Sequence, residues 1–183
     1  LSREEIFEVT GIHSVSSNLG ELITTPPLRA PHHTASHVSL VGGGAVPKPG
    51  EITLAHRGVL FMDEFPEFEK ESLEALREPL EEGKVTISRA RGTISYPAKF
   101  IMVAAMNPCP CGNYGNKDKQ CICKSSDIEK YERKISGPIM DRIDLHVEVP
   151  RLSFDKLQQK GDEERSFEIR ARVESAREIQ KRR

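Results

Sequence analysis

The chain alternates short, wholly apolar runs with longer segments whose apolar residues recur at helical spacing. The first clear run is Gly58-Val59-Leu60-Phe61-Met62, closed by Asp63-Glu64; five apolar residues ending in acids predict a buried parallel strand. Residues 69–82 follow with Leu73, Leu76 and Leu80 at helical spacing, and Pro79 is expected to kink or end the regular part, with Gly83 as C-cap. Residues 84–88 and 93–97 are β-rich and joined by Arg89-Ala90-Arg91-Gly92, which predicts a hairpin. A second apolar strand is expected at 100–106, a helix at 126–135 and a third strand at 145–149. Upstream, residues 2–10 predict a short amphipathic helix with Ser2 as N-cap and Ile6, Phe7 and Val9 as its apolar contacts. Residues 24–50, rich in Pro, Gly, His, Ser and Thr, read as a long loop or irregular hairpin. From Ser166 a helix carries Ile169, Val173, Ala176 and Ile179 on one face.

Strand, helix, hairpin, strand, helix, strand is the order of an α/β fold with a mostly parallel sheet. Two regions are expected: a core over 1–150, then a linker and the first helix of a further domain over 151–183. Composition narrows function little. The 183 residues are 37% apolar and 30% charged, with a net charge of −1. Any nucleic-acid contact must therefore come from a local basic patch. No apolar run approaches the roughly 20 residues of a membrane span, and no signal-peptide pattern opens the chain, so a cytoplasmic location is expected.

Ligands of open parallel sheets sit beyond the carboxyl ends of the strands, so the residues after each apolar run are the candidates. Asp63 suits a Mg²⁺ held through water, and Glu64 suits orienting and polarising an attacking water. Asn107, after the second strand, can hydrogen-bond that water or a γ-phosphate oxygen. Arg142, in Gly137-Pro138-Ile139-Met140-Asp141-Arg142, can reach a neighbour's γ-phosphate; the bland alternative is a salt bridge with Asp141 or Asp144. Taken singly, the acids read equally as a strand-to-loop junction and Asn107 as a turn residue before Pro108.

Cys109-x-Cys111 and Cys121-x-Cys123 place four thiols within fifteen residues around a turn-rich stretch. Two such pairs can supply four thiolates to one tetrahedral, structural Zn²⁺, with free buried thiols or disulfides as rivals. His32, His33 and His37 lack neighbouring acids or thiols to complete a metal site, so hydrogen bonding or packing is expected of them. His56 and Arg57 are expected to be structural. Arg89 and Arg91 flank the hairpin tip, where they could hold a phosphate backbone or simply face solvent.

In order, RAPHHTASH, PGEITLAHRG, GVLFMDE, FIMVAAMNPCPCG and ISGPIMDRIDLHVEVP resemble the AAA+ ATPases of the magnesium-chelatase-like branch, and within it the bacterial ComM-type (YifB-type) proteins. The resemblance runs over essentially the whole chain. It implies an AAA+ P-loop-type core with β-hairpin insertions and a small Cys-rich insert. Asp63 and Glu64 match the Walker B acids, Asn107 sensor 1, and Arg142 the arginine finger that acts on the next subunit. Residues 84–99 match the hairpin before sensor 1, and 29–56 the insertion of the second helix. Implied with them are ATP and Mg²⁺ as cofactors, identical subunits in a ring (a hexamer), and DNA as the substrate remodelled. The ATPase subunit of a magnesium chelatase and a zinc-stabilised assembly module are the alternatives.

One departure stands out. No G-x-x-x-x-G-K-[ST] occurs in these 183 residues; the resemblance places that loop before Leu1 and the lid arginine beyond Arg183, a fragment truncated at both ends. Residues 1–183 alone are expected to grip ATP weakly, without the amides and lysine that cradle its β- and γ-phosphates.

Overall fold

A computed structural model describes residues 1–17, 20–44, 47–89, 92–116, 119–149 and 164–182. Its centre is a parallel sheet of three strands in the order β1 (Leu28–Arg29), β4 (Val59–Met62), β7 (Ile101–Ala104). Leu28 lies opposite Val59, and Val59 through Met62 pair in register with Ile101 through Ala104. The α/β class with a parallel sheet is thus as expected. Two further pairs are antiparallel: β2 (Gly42–Gly43) with β3 (Lys48–Pro49), and β5 (Lys84–Arg89) with β6 (Gly92–Pro97).

The strand at 59–62 forms because its side chains have somewhere to go. Leu60 and Met62 are fully buried against Leu40, Ile52, Phe65, Leu73, Leu76 and Ile139. Close approach of β1 is allowed by Gly58, where a Cβ would run into the Pro27 carbonyl; that carbonyl accepts the Val59 N–H at 2.8 Å.

The helix expected over 69–82 is two helices, α4 (Lys70–Glu74) and α5 (Arg77–Glu82). The break lies at Ala75-Leu76, upstream of Pro79. A proline clashes with the carbonyl four residues before it, here that of Ala75, and brings no N–H to bond it. Gly83 closes α5 in a left-handed conformation, as expected. The predicted hairpin is present with Arg89 opposite Gly92; the side chain of Arg89 and all of Arg91 lie outside the described residues.

Four expectations need correcting. Residues 24–50 are not simply loop: they contain β1, α2 (His37–Val41) and the β2–β3 pair, and α3 (Glu51–Leu54) follows directly. The strand within 100–106 is not buried on both sides, since β7 leaves Ile101 67% and Val103 42% exposed. Residues 145–149 are not a strand; Leu145, Val147 and Val149 face solvent without a pairing partner among the described residues. Phe7 is exposed, while α1 (Arg3–Ser16) runs on past residue 10 to bury Ile12 beside Val9. The helix around 126–135 is α6 (Ser125–Glu132), and α7 (Gly137–Met140) follows it.

Helix α1 starts at a capping box, in which Ser2 Oγ accepts the Glu5 N–H and Glu5 accepts the Ser2 N–H. His56 anchors it. The buried His56 ring accepts the Lys99 N–H at Nδ1 (3.0 Å), so its proton sits on Nε2 and is donated to Glu8 (3.2 Å). Arg57 adds a 2.8 Å bond to the same carboxylate. The structural role expected of His56 and Arg57 is therefore a clamp between α1 and the sheet.

Burial holds the His56 pKa below its ordinary 6.5 despite the Glu8 hydrogen bond. Hydrogen bonds from Arg57 and then His56 hold Glu8 below 4.5. In both cases the unfolded chain binds the proton more readily than the folded one. The stabilisation is complete above the unfolded value and is lost as pH falls. Unfolding midpoints measured from about pH 8 to about pH 5 are expected to decline through the histidine range. His56→Gln should flatten that slope, at a cost of roughly 1–3 kcal/mol for stranding the Lys99 N–H.

Residues Leu1–His146 and Val147–Arg183 are separate compact units. The second contains α8 (Ser166–Lys181), whose Phe167, Ile169, Val173 and Ile179 are exposed. No helix among the described residues is long and apolar enough to cross a membrane.

Candidate functional site

The carboxyl ends of β4 and β7 lie side by side because the strands are parallel and in register. Backbone bonds carry the pairing past the strands: Ala105 N–H donates to Met62 O and Phe65 N–H to Ala105 O, both at 2.9 Å. Asp63 and Glu64 therefore leave the sheet at the same end as Asn107, and all three are exposed. Glu64 has φ 52°, ψ 43°, a left-handed conformation uncommon for a non-glycine residue. Its N–H is held by Asp63 Oδ1 at 2.9 Å, and it caps a 3₁₀ turn over Phe65–Glu67.

Beneath Asn107 lies Tyr131 of α6. Burial raises the Tyr131 pKa, the Asn107 backbone N–H bonded to its hydroxyl pulls the other way, and the carboxylates of Glu67 and Glu64 add to the rise. Two carboxylates and an amide at one end of a parallel sheet form an arrangement suited to a hydrated divalent cation and a polarised water.

Glu64 also has a partner that spacing along the chain did not reveal. His33 Nδ1 lies 2.8 Å from Glu64 Oε2. The two residues are thirty-one positions apart, and only the β1–β4 pairing brings them together. His32 is occupied otherwise, its Nδ1 accepting from Thr34 Oγ1 at 2.9 Å and Thr34 N–H at 3.3 Å.

Arg142 stands apart from these acids. One guanidinium nitrogen donates to the Pro138 carbonyl and another pairs with the Glu81 carboxylate of α5, while Nε is buried without a partner. The salt bridge is thus to Glu81, not to Asp141 or Asp144.

The four cysteines form the one group of three or more potential metal ligands among the described residues, with all sulfurs within 4.8 Å of one another. Cys109 Sγ is 3.4 Å from Cys111 and 3.7 Å from Cys121, and Cys111 is 3.6 Å from Cys121. A tetrahedron with Zn–S of about 2.3 Å has S···S edges of about 3.8 Å. These three separations are thus near the edge length of such a tetrahedron. Gly112, at φ 73°, turns the chain after the first pair, and the Tyr114 N–H then donates to Cys109 Sγ at 3.3 Å. Donation from the Ile122 and Asn113 amides holds the Cys111 pKa down at about 5, whereas burial pushes Cys123 up to about 12. No disulfide links them.

A family model described as magnesium chelatase, subunit ChlI, matches residues 1–157. Competence protein ComM of Haemophilus influenzae is 52% identical over 155 residues, which cover 84% of this chain and 30% of that protein. The uncharacterized protein YifB of Salmonella typhimurium is 45% identical over 187 residues, covering 100% of this chain and 36% of its own length. Magnesium-chelatase subunit ChlI of Mesostigma viride is 26% identical over 119 residues, covering 65% of this chain and 27% of that protein. The chain spans about a third of the ComM and YifB relatives.

Proposed function

This chain belongs to the magnesium chelatase subunit ChlI family, and we propose that it carries the water-activating half of an ATPase site in a ring-forming AAA+ motor that remodels DNA. The observation that supports this most is the convergence of Asp63, Glu64 and Asn107 beyond β4 and β7. Asp63 would hold Mg²⁺, which would supply charge to the phosphates, and Glu64 orients and polarises the attacking water. The Asn107 amide steadies that water or a γ-phosphate oxygen. Arg142 supplies charge to the site of the next subunit. The attacking oxygen bonds the γ-phosphorus, its proton passes to Glu64, and the bond to the β–γ bridging oxygen breaks to release ADP and phosphate.

A DNA role is favoured over porphyrin metallation by the four-cysteine insert and by the higher identity to ComM than to ChlI. Arg89 and Arg91 at the hairpin tip are the proposed backbone contacts. Full-length protein is expected to unwind branched DNA only with hydrolysable ATP. ATP-dependent stimulation of Mg²⁺ insertion into a porphyrin, with no unwinding, would instead establish the chelatase reading.

The cysteines are proposed to hold one structural Zn²⁺ per chain, since four thiolates leave no open position for catalysis. Protein purified without chelator should contain one equivalent by elemental analysis, and Cys121→Ser should lose it. Stable metal-free protein with four freely titrating thiols would remove the site.

A further inference from the structure

We infer that His33 is a positioning residue that holds the Glu64 carboxylate in the pose from which it acts on water. The inference rests on the reading of Glu64 given above. An exposed glutamate just past the end of a strand ordinarily samples several rotamers, and a base that must be found in one pose loses rate in proportion to the time spent in others. Here the backbone of Glu64 is already fixed by the Asp63 cap and the Phe65–Ala105 bond. What remains free is the side chain, and His33 Nδ1 takes one of its two oxygens at 2.8 Å.

Because an ionised carboxylate only accepts, the bridging proton is on His33 Nδ1. Oε2 is thereby committed, and Oε1 is left for water.

The histidine is itself held in place. Arg29 on β1 makes a two-pronged bond to Glu51 of α3, at 2.5 and 2.7 Å, which pins the strand from which the His33 segment departs. The Ala35 N–H donates to His32 O at 2.8 Å, closing a turn around His33. The His32 ring, fixed by Thr34, lies against the His33 ring with centroids 4.2 Å apart. Neither histidine belongs to a metal-type cluster among the described residues. This chain of contacts resembles the way an outer partner fixes a reactive group, and removing such a partner misplaces the group without abolishing it.

The test uses full-length protein and measures kcat, KM for ATP and direct ATP affinity. His33→Ala is expected to lower kcat roughly 10- to 100-fold with KM and affinity little changed. Asparagine places its Nδ2 close to where histidine has Nδ1, whereas glutamine places its amide farther out. His33→Asn should therefore recover most of the rate and His33→Gln should not. In the Glu64→Gln background, His33→Ala should cost nothing more, because the two residues act as one unit. If Glu64→Gln is inactive but His33→Ala has unchanged kcat, the contact is incidental and the inference fails alone. If Ala, Asn and Gln lose rate equally and lower the melting midpoint together, His33 serves the fold only. If Glu64→Gln keeps near-normal hydrolysis, the reading of Glu64 fails and this inference goes with it.

Discussion

Full-length protein carrying Glu64→Gln is expected to bind ATP normally and hydrolyse it at least about 10²- to 10⁴-fold more slowly, the range that a positioned general base contributes. The amide keeps the length and shape of the carboxylate. Its oxygen can still accept from His33, so the local packing seen around residue 64 should survive. What it cannot do is take the water's proton. Asp63 is separated from Glu64 by its proposed role toward the cation, on which Asp63→Asn should weaken Mg²⁺-dependent binding as well as turnover. Phosphate release at saturating ATP, with calorimetric binding of ATP, separates the two. Hydrolysis at near-normal rate by Glu64→Gln would take that residue out of the mechanism.

Loss of Arg142 should be as severe for a different reason, and it reports on assembly. A ring of Arg142→Ala subunits is expected to bind ATP yet lose on the order of 10³-fold or more in rate, as when a trans-acting arginine is removed. Mixing Arg142→Ala with Glu64→Gln makes the sharper measurement. On the proposed trans role, each interface needs Glu64 from one subunit and Arg142 from the next, so mixed rings would contain some interfaces with both intact. ATPase activity should exceed that of either pure variant. No rescue despite demonstrated subunit exchange would mean that Arg142 works within its own chain, where it already has partners in Glu81 and the Pro138 carbonyl. Those partners set a condition on the trans role: the guanidinium must give up Glu81 to serve a neighbour.

The legible parts of this protein were those in which local pattern and burial agree. Residues 59–62 read as a strand because the run is apolar throughout; Leu60 and Met62, on one face, are buried in the core, and the acids at its end mark where it meets solvent. The hairpin at 84–97 was equally plain, as were the cysteines, whose spacing already required a tight turn. Residues 145–149 alternate as a strand should, yet a strand exists only with a neighbour to bond, and pattern alone supplies none. The converse holds for β1: two residues are too few for any period to show, and it is a strand because Gly58 lets it approach β4. Proline chemistry predicted a break in the 69–82 helix but not its place, which depends on the carbonyl four residues back. The partners of Glu64 and Arg142 were hidden for one reason. His33 and Glu81 are each distant in sequence, and the side chains that complete a site are chosen by topology rather than by spacing.

The exposed apolar side chains of β7 bear on how the molecule behaves in a tube. Ile101 and Val103 sit on a strand that bonds β4 alone among the described strands, so its outer N–H and C=O groups are a template as well as a surface. Edges of that kind recruit one another, and the encounter rate rises with the square of concentration. For residues 1–183 handled alone, colloidal behaviour is therefore a property of the sheet rather than of net charge, which at −1 offers little mutual repulsion. Dilution delays that association only in part; a partner strand against β7 removes its cause.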